Sequence, residues 1–177
     1  MQALKTERES IKRQLYRLAV LSPDPSTQNA AILMRKGEQF PFAGAYNGFP
    51  RGVAVTPERL VKPVKYQFME HAERNAIYTA TRAGQSTEGA TMYCLWAACT
   101  DCARAIIQAG IKRVVTYDKY ASNTYGRWYE DVRLAMDMLN ESGVEVVVEP
   151  IKPSHQLEPT MGEHDKALLF NGKEIRW

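Results

Sequence analysis

The sequence predicts an α/β layered sandwich. Short apolar or β-branched runs alternate with segments of helical apolar spacing, in the order αββαβαβαβ. Glycine or proline punctuates most of the junctions. The 177 residues suit one domain of ordinary size, or one domain with a short appendage.

Residues 4–20 carry Ile11, Leu15, Leu18 and Ala19 at helical spacing among charges, and Pro23 and Pro25 end that helix. Ala30-Ala31-Ile32-Leu33-Met34 reads as a buried strand. A turn at Lys36-Gly37-Glu38-Gln39 leads into a second strand over residues 40–46, which Asn47-Gly48 breaks. Residues 47–68 hold Pro50, Gly52, Pro57 and Pro63 and read as a long loop with one helical turn near Glu58-Arg59-Leu60. Loops of that length are often functional. The pattern then predicts a helix over residues 70–83 stopped by Gly84, and a strand over 91–95. A helix over 99–109 ended by Gly110 and a strand over 113–117 follow. A helix over 127–139 offers Trp128, Val132, Leu134, Ala135 and Met138 for burial, with Trp128 read as core. Gly143 ends it before the β-branched strand 144–148.

The tail from Pro150 to Trp177 has another texture, with Pro153, Pro159, Gly162 and a hairpin-like Asn171-Gly172. The expected organisation is one domain over residues 1–149 and a C-terminal extension, 150–177, with no role assigned. There are no internal repeats and no low-complexity segments.

Hydrophobic residues make up 45% and charged residues 24%, the balance of an ordinary soluble core. No apolar run approaches the ~20 residues that cross a bilayer, so no membrane association is expected. The first nine residues are too charged for a signal peptide, and a cytoplasmic location is the expectation. Formal net charge is +3 and spread along the chain. Without a clustered basic stripe, a small anionic ligand is expected rather than a long nucleic acid. Three cysteines, Cys94, Cys99 and Cys102, fall within nine residues, which argues against a disulfide framework.

Two short segments carry chemistry: His71-Ala72-Glu73 and Cys99-Thr100-Asp101-Cys102, each at the start of a predicted helix. A C-x-x-C at a helix start presents two thiols to one ion, and the positive helix end lowers their pKa values. One imidazole added gives zinc three protein ligands and leaves a fourth position for water, the catalytic rather than the structural arrangement. Zinc brings the pKa of that water towards roughly 7. Glu73, two residues after the histidine, reaches the water without being a ligand. Read alone, C-x-x-C also fits a redox pair or half of a structural zinc site. A structural site, however, wants a fourth tightly spaced Cys or His, and a redox motif has no need of His-x-Glu. His-x-Glu followed by C-x-x-C is the signature of the zinc nucleobase and nucleoside deaminases.

Residues 29 to 149 resemble the cytidine/deoxycytidylate deaminase superfamily, its dCMP branch in particular. The resemblance is carried by Ala45-Tyr46-Asn47-Gly48-Phe49-Pro50-Arg51-Gly52 and His71-Ala72-Glu73-Arg74-Asn75-Ala76-Ile77. It continues in Cys99-Thr100-Asp101-Cys102 with the residues through Ile111, and in Asp118-Lys119-Tyr120. It implies a three-layer α-β-α sandwich with a central mixed five-stranded sheet and zinc at two helix N-termini. It implies His71, Cys99 and Cys102 as ligands and Glu73 as proton shuttle. Asn47 matches an asparagine close to the nucleotide sites, and Tyr120 a tyrosine that helps hold substrate. Members are usually homo-oligomers, often hexamers, and many are regulated by dCTP and dTTP. This chain departs from the pattern at Ala98, where relatives carry proline, and at Ala45, where regulated members carry glycine.

A nucleotide phosphate needs basic donors, and Arg51, Arg74, Lys119 and Arg127 lie near the right segments. Arg74 and Lys119 are the preferred candidates, Arg74 also being placed to pair with an acidic neighbour. Tyr117, Tyr120, Tyr125 and Tyr129 are candidate wall residues. The expected reaction is hydrolytic deamination of a cytosine deoxynucleotide, dCMP to dUMP plus ammonia. Deamination of modified dCMP, dCTP, tRNA adenosine, guanine or a riboflavin precursor is the enzymatic alternative. A zinc scaffold without catalysis is the other.

Overall fold

The computed structural model describes residues 2–117, 128–149, 168–170 and 173–175. Lys119, Tyr120, Tyr125 and Arg127 lie outside them. Helix α1 (Gln2–Ala19) sets Ile11, Leu15 and Ala19, four residues apart, into the core. Strand β1 (Ala30–Met34) is buried at every position because both of its faces are covered. Ala30, Ile32 and Met34 face the side of α1, and Ala31 and Leu33 face the opposite core. Strand β2 (Ala43–Tyr46) is shorter than expected, with Phe40 left 76% exposed ahead of it.

Strands β3 (Thr91–Cys94), β4 (Arg113–Thr116) and β5 (Glu145–Val148) complete a sheet ordered β2-β1-β3-β4-β5. β1 runs antiparallel to both neighbours while β3, β4 and β5 are parallel, so the sheet is mixed as expected. Helices α3 (Ala72–Arg82), α4 (Thr100–Gln108) and α5 (Tyr129–Glu141) cover the face opposite α1. Ala72, Ala76 and Ala80 form a fully buried stripe that lets α3 lie close against β1 and β2. On the other face Gly44 makes room for α1, since a Cβ there would stand 3.2 Å from Leu18.

Pairing of Ala30 with Tyr46 and of Ala31 with Cys94 sets the start of β1 at the sheet edge where β2 and β3 end. The loop that follows β2 is closed at its base: Gly48 N–H donates to Glu70 O at 3.0 Å and Glu70 N–H to Gly48 O at 2.8 Å. It contains the anticipated turn, a 3-10 helix at Pro57–Leu60, and also α2 (Lys65–Phe68), a single turn too short for periodicity to reveal. Phe68 stacks on Phe49 with centroids 5.8 Å apart, and the Arg59 guanidinium lies 4.6 Å over the Phe68 ring.

Four side-chain expectations are corrected: Leu134, offered for burial, is 44% exposed, and Tyr129, a candidate wall residue, is 57% exposed and does not line the cavity described below. Trp128 is not core but 43% exposed, because it precedes the part of α5 that packs; Ala135 and Leu139 are that helix's buried residues. Tyr117 is not a wall residue but lies 3% exposed in the core beside α1. In the tail, β6 (Leu168–Phe170) and β7 (Lys173–Ile175) pair antiparallel with Phe170 opposite Lys173, the hairpin that Asn171-Gly172 signalled. Among the described residues, no helix is long and apolar enough to cross a membrane.

Candidate active site

Helices α3 and α4 both begin at the sheet edge where β1 starts. His71 caps α3 and Cys99 caps α4, each with an extended backbone, and Cys102 lies in the first turn of α4. His71 Nδ1 stands 3.4 Å from Cys99 Sγ and 3.5 Å from Cys102 Sγ. A tetrahedral ion with Zn–N of ~2.0–2.1 Å and Zn–S of ~2.3 Å sets nitrogen and sulfur about 3.5 Å apart. The three side chains therefore fit zinc in spacing and in donor type. Cys94 stays apart, buried in β3 with its Sγ 3.9 Å from Val115 O.

The trio is also electrostatically prepared. The hydrogen bond shared with Cys102 holds the Cys99 thiol well below the ordinary range, against the effect of burial and with help from His71. The same bond, with burial, pushes Cys102 up, so the two sulfurs share a proton. Hydrogen bonding to Cys99 raises His71 to about 9, against burial and with the Glu73 charge assisting. These are the protons that a bound cation displaces.

Glu73 follows in the first turn of α3 and is only 2% exposed. Burial raises its carboxyl to about 7; His71 opposes this and the Cys99 charge reinforces it. Asn29 Nδ2 approaches Glu73 Oε2 at 3.4 Å from the head of β1. Asn47 fixes that segment: its Oδ1 accepts the Asn29 N–H at 2.7 Å, its Nδ2 donates to Thr27 O at 2.8 Å, and its own N–H donates to Asn29 O at 3.1 Å.

His71, Cys99, Glu73, Asn29 and Asn47 line a cavity of about 580 Å³, with Cys102 buried behind Cys99. Trp96 forms part of its wall and donates from Nε1 to Gln28 O at 3.0 Å. From the long loop come Lys62, Tyr66 and Lys65, the last buried against Asp24. From α5 comes Asp131, and from the residue that caps that helix Trp128. Trp128 meets Tyr66 edge-on at 6.3 Å, and Asp131 accepts hydrogen bonds from the N–H and hydroxyl of Thr100 at 3.2 and 2.6 Å.

The fold thus gathers His71, Glu73, Cys99, Cys102, Asn47 and Arg74, as the sequence predicted. Arg74 lines the cavity, and its guanidinium is held by Glu70 at 2.5 Å and Asp101 at 3.4 Å, tying the first turns of α3 and α4 together. Lys119 and Tyr120 lie outside the described residues. Asn29, Asp24, Lys65 and Asp131 were missed. An asparagine heading an otherwise apolar strand and an Asp-Pro-Ser turn were the available signals for the first two; nothing local marks Lys65 or Asp131.

Residues 5–118 match the family model described as the cytidine and deoxycytidylate deaminase zinc-binding region. An uncharacterized deaminase in the luxG 3′ region of Aliivibrio fischeri is 35% identical over 130 residues, covering 73% of this chain and 84% of that one. The deoxycytidylate deaminase of Enterobacteria phage T4 is 45% identical over 87 residues, 49% of this chain and 41% of its own, so the match spans less than half of the phage enzyme. Among solved structures, the dCMP deaminase of cyanophage S-TIM5 in complex with dCMP and dUMP superposes with a TM-score of 0.63 at 26% identity, over 81% of this chain and 96% of that one.

Proposed function

Because the chain belongs to the cytidine and deoxycytidylate deaminase family, we propose that it hydrolyses the 4-amino group of a cytosine deoxynucleotide, dCMP to dUMP and ammonia. The carrying observation is the buried Glu73 carboxyl, which shares one cavity with His71 and Cys99 of the His71–Cys99–Cys102 trio. The similar phage enzymes act on dCMP by name, and a cavity of about 580 Å³ accommodates a nucleotide.

His71, Cys99 and Cys102 would hold zinc, which when bound supplies Lewis-acid activation of water. Glu73 takes a proton from the attacking water and delivers it to ring N3 as C4 becomes tetrahedral. A second proton passes through the same carboxyl to the departing amine. The C4–N4 bond then breaks, the C4–O4 carbonyl forms, and ammonia leaves. A carboxyl raised to about 7 both accepts and returns a proton near neutrality. Asn47 positions the segment bearing Asn29, and Arg74 stands at the cavity wall. Lys119 and Tyr120 are proposed substrate contacts on the strength of the resemblance.

The deaminase domain is assigned to residues 1–149, with 150–177 an extension of unassigned role. A homo-oligomer, a hexamer among the options, and a cytoplasmic setting that keeps thiol ligands reduced complete the reading. Ammonia release measured across dCMP, dCTP, deoxycytidine, 5-substituted dCMP and dAMP tests it. Turnover should be greatest with dCMP; failure of every cytosine compound would overturn the substrate.

A further inference from the structure

Asn29 is 8% exposed, lines the cavity, and is attached to Glu73 from its place just ahead of β1, 44 residues earlier in the chain. Its amide has only one workable orientation. Oδ1 accepts the N–H of Ala30 at 2.8 Å while Nδ2 faces Glu73 Oε2. Flipping it would turn one oxygen towards the carboxylate and leave the Ala30 N–H facing a donor. Its backbone is pinned as well, through the reciprocal hydrogen bonds with Asn47. Nδ2 carries two hydrogens. Glu73 is its one acceptor among the described residues, so a second N–H remains beside the catalytic carboxyl with the cavity before it.

Glu73 serves ring N3 in the reaction proposed above, and this inference rests on that reading. On cytosine the atom next to N3 is C2, whose oxygen O2 is an acceptor on the same edge. On adenine the corresponding neighbour carries only C–H. A donor 3.4 Å from the Glu73 oxygen is therefore placed to read the group that distinguishes the two rings.

We propose that Asn29 is a specificity-determining residue whose Nδ2 donates to the O2 carbonyl of the base, restricting the site to 4-amino-pyrimidin-2-ones. The amide costs little to reorganise, since both its oxygen and its backbone are already fixed. An unmatched ring would leave that buried N–H without its acceptor, which is how hydrogen-bonding sites reject analogues.

The test uses the zinc-loaded full chain and two substrates, dCMP and 2-thio-dCMP, in which a weak sulfur acceptor replaces O2. The parent should prefer dCMP by about tenfold or more in kcat/KM. Asn29→Val should lower kcat/KM for dCMP by about 10- to 100-fold and that for 2-thio-dCMP far less, so that the two changes couple in a double-perturbation cycle. Equal losses on both substrates, or no loss on dCMP, would overturn the assignment while leaving dCMP deamination intact. If Asn29→Val loses zinc or its cooperative melting, the parent decides alone, and handling both substrates within about twofold overturns it. A parent that releases ammonia from dAMP and none from dCMP overturns the function and this inference together.

Discussion

Lys65 Nζ lies 2.8 and 2.9 Å from the two carboxylate oxygens of Asp24, and the side chains are 4% and 5% exposed. This buried pair joins the turn ahead of β1 to α2 across the cavity wall. Removing one partner strands a charge, so Lys65→Met should destabilise the fold by about 3–5 kcal/mol. Asp24→Asn combined with Lys65→Met should cost less than the sum of the two, as read from urea denaturation. Burial alone would raise the Asp24 carboxyl, but the Lys65 hydrogen bond and the amides of Ser26 and Thr27 hold it below its ordinary 3.8. A depressed carboxylate stabilises above its unfolded value and loses that contribution as pH falls through the folded one. Stability should therefore decline on acidification below about pH 4, and Asp24→Asn should flatten that limb.

Glu73→Gln keeps the shape of the side chain and removes the proton traffic proposed for it. Zinc content should stay at parent level while kcat drops by on the order of 10²–10⁴. In the metal-free protein the sign of the stability effect is the reverse of that for Asp24. A carboxyl raised from 4.5 to about 7 favours folding when protonated, so its contribution is lost as pH rises across that window. The Gln variant should gain stability on the parent between those two values, checked by chemical denaturation of the chelated proteins.

The three cysteines should separate cleanly. Cys99→Ser and Cys102→Ser remove a soft ligand from the spacing around His71 Nδ1, and bound zinc per chain should fall well below parent. Cys94→Ser changes a core thiol in β3 and should leave the zinc stoichiometry untouched, with a loss of roughly 1–3 kcal/mol in stability. Elemental analysis of the purified variants distinguishes the two outcomes.

Asp131 supplies from α5 the acceptor that the start of α4 lacks in its own capping residue, since Cys99 makes no side-chain capping bond. Asp131→Ala should cost about 1 kcal/mol. The loss should shrink in a Thr100→Ala background, because both variants remove the shared hydroxyl bond. Thermal melting of the four proteins gives the coupling.

The proposed zinc ligands and Glu73 were legible because their spacing is local. Two residues separate the sulfurs in sequence, one separates His71 from Glu73, and helix starts hold each set in place. The strands were legible because β1 is buried on both faces and reads as an unbroken apolar run. What escaped depends on partners far along the chain: Asp24 finds Lys65 at a separation of 41, and Asn29 finds Glu73 at 44. Trp128 was misplaced because helical spacing says which face is apolar but not where packing begins; in α5 only Ala135 and Leu139 are buried, in the core shared with α4.

The reciprocal bridge between Gly48 and Glu70 gives residues 49–69 the character of an interchangeable cassette. Its anchors adjoin Asn47 on one side and His71 on the other, so the exposed stretches between them can lengthen, shorten or change composition, while Lys65 stays tied to Asp24 through their buried pair. Closing a loop twice as long costs only about 0.6 kcal/mol more. Lys62, Lys65 and Tyr66 all reach the cavity from inside this segment. The ground on which descendants of this fold could acquire new ligand tastes is thereby set apart from the ground that must stay still for the reaction to run.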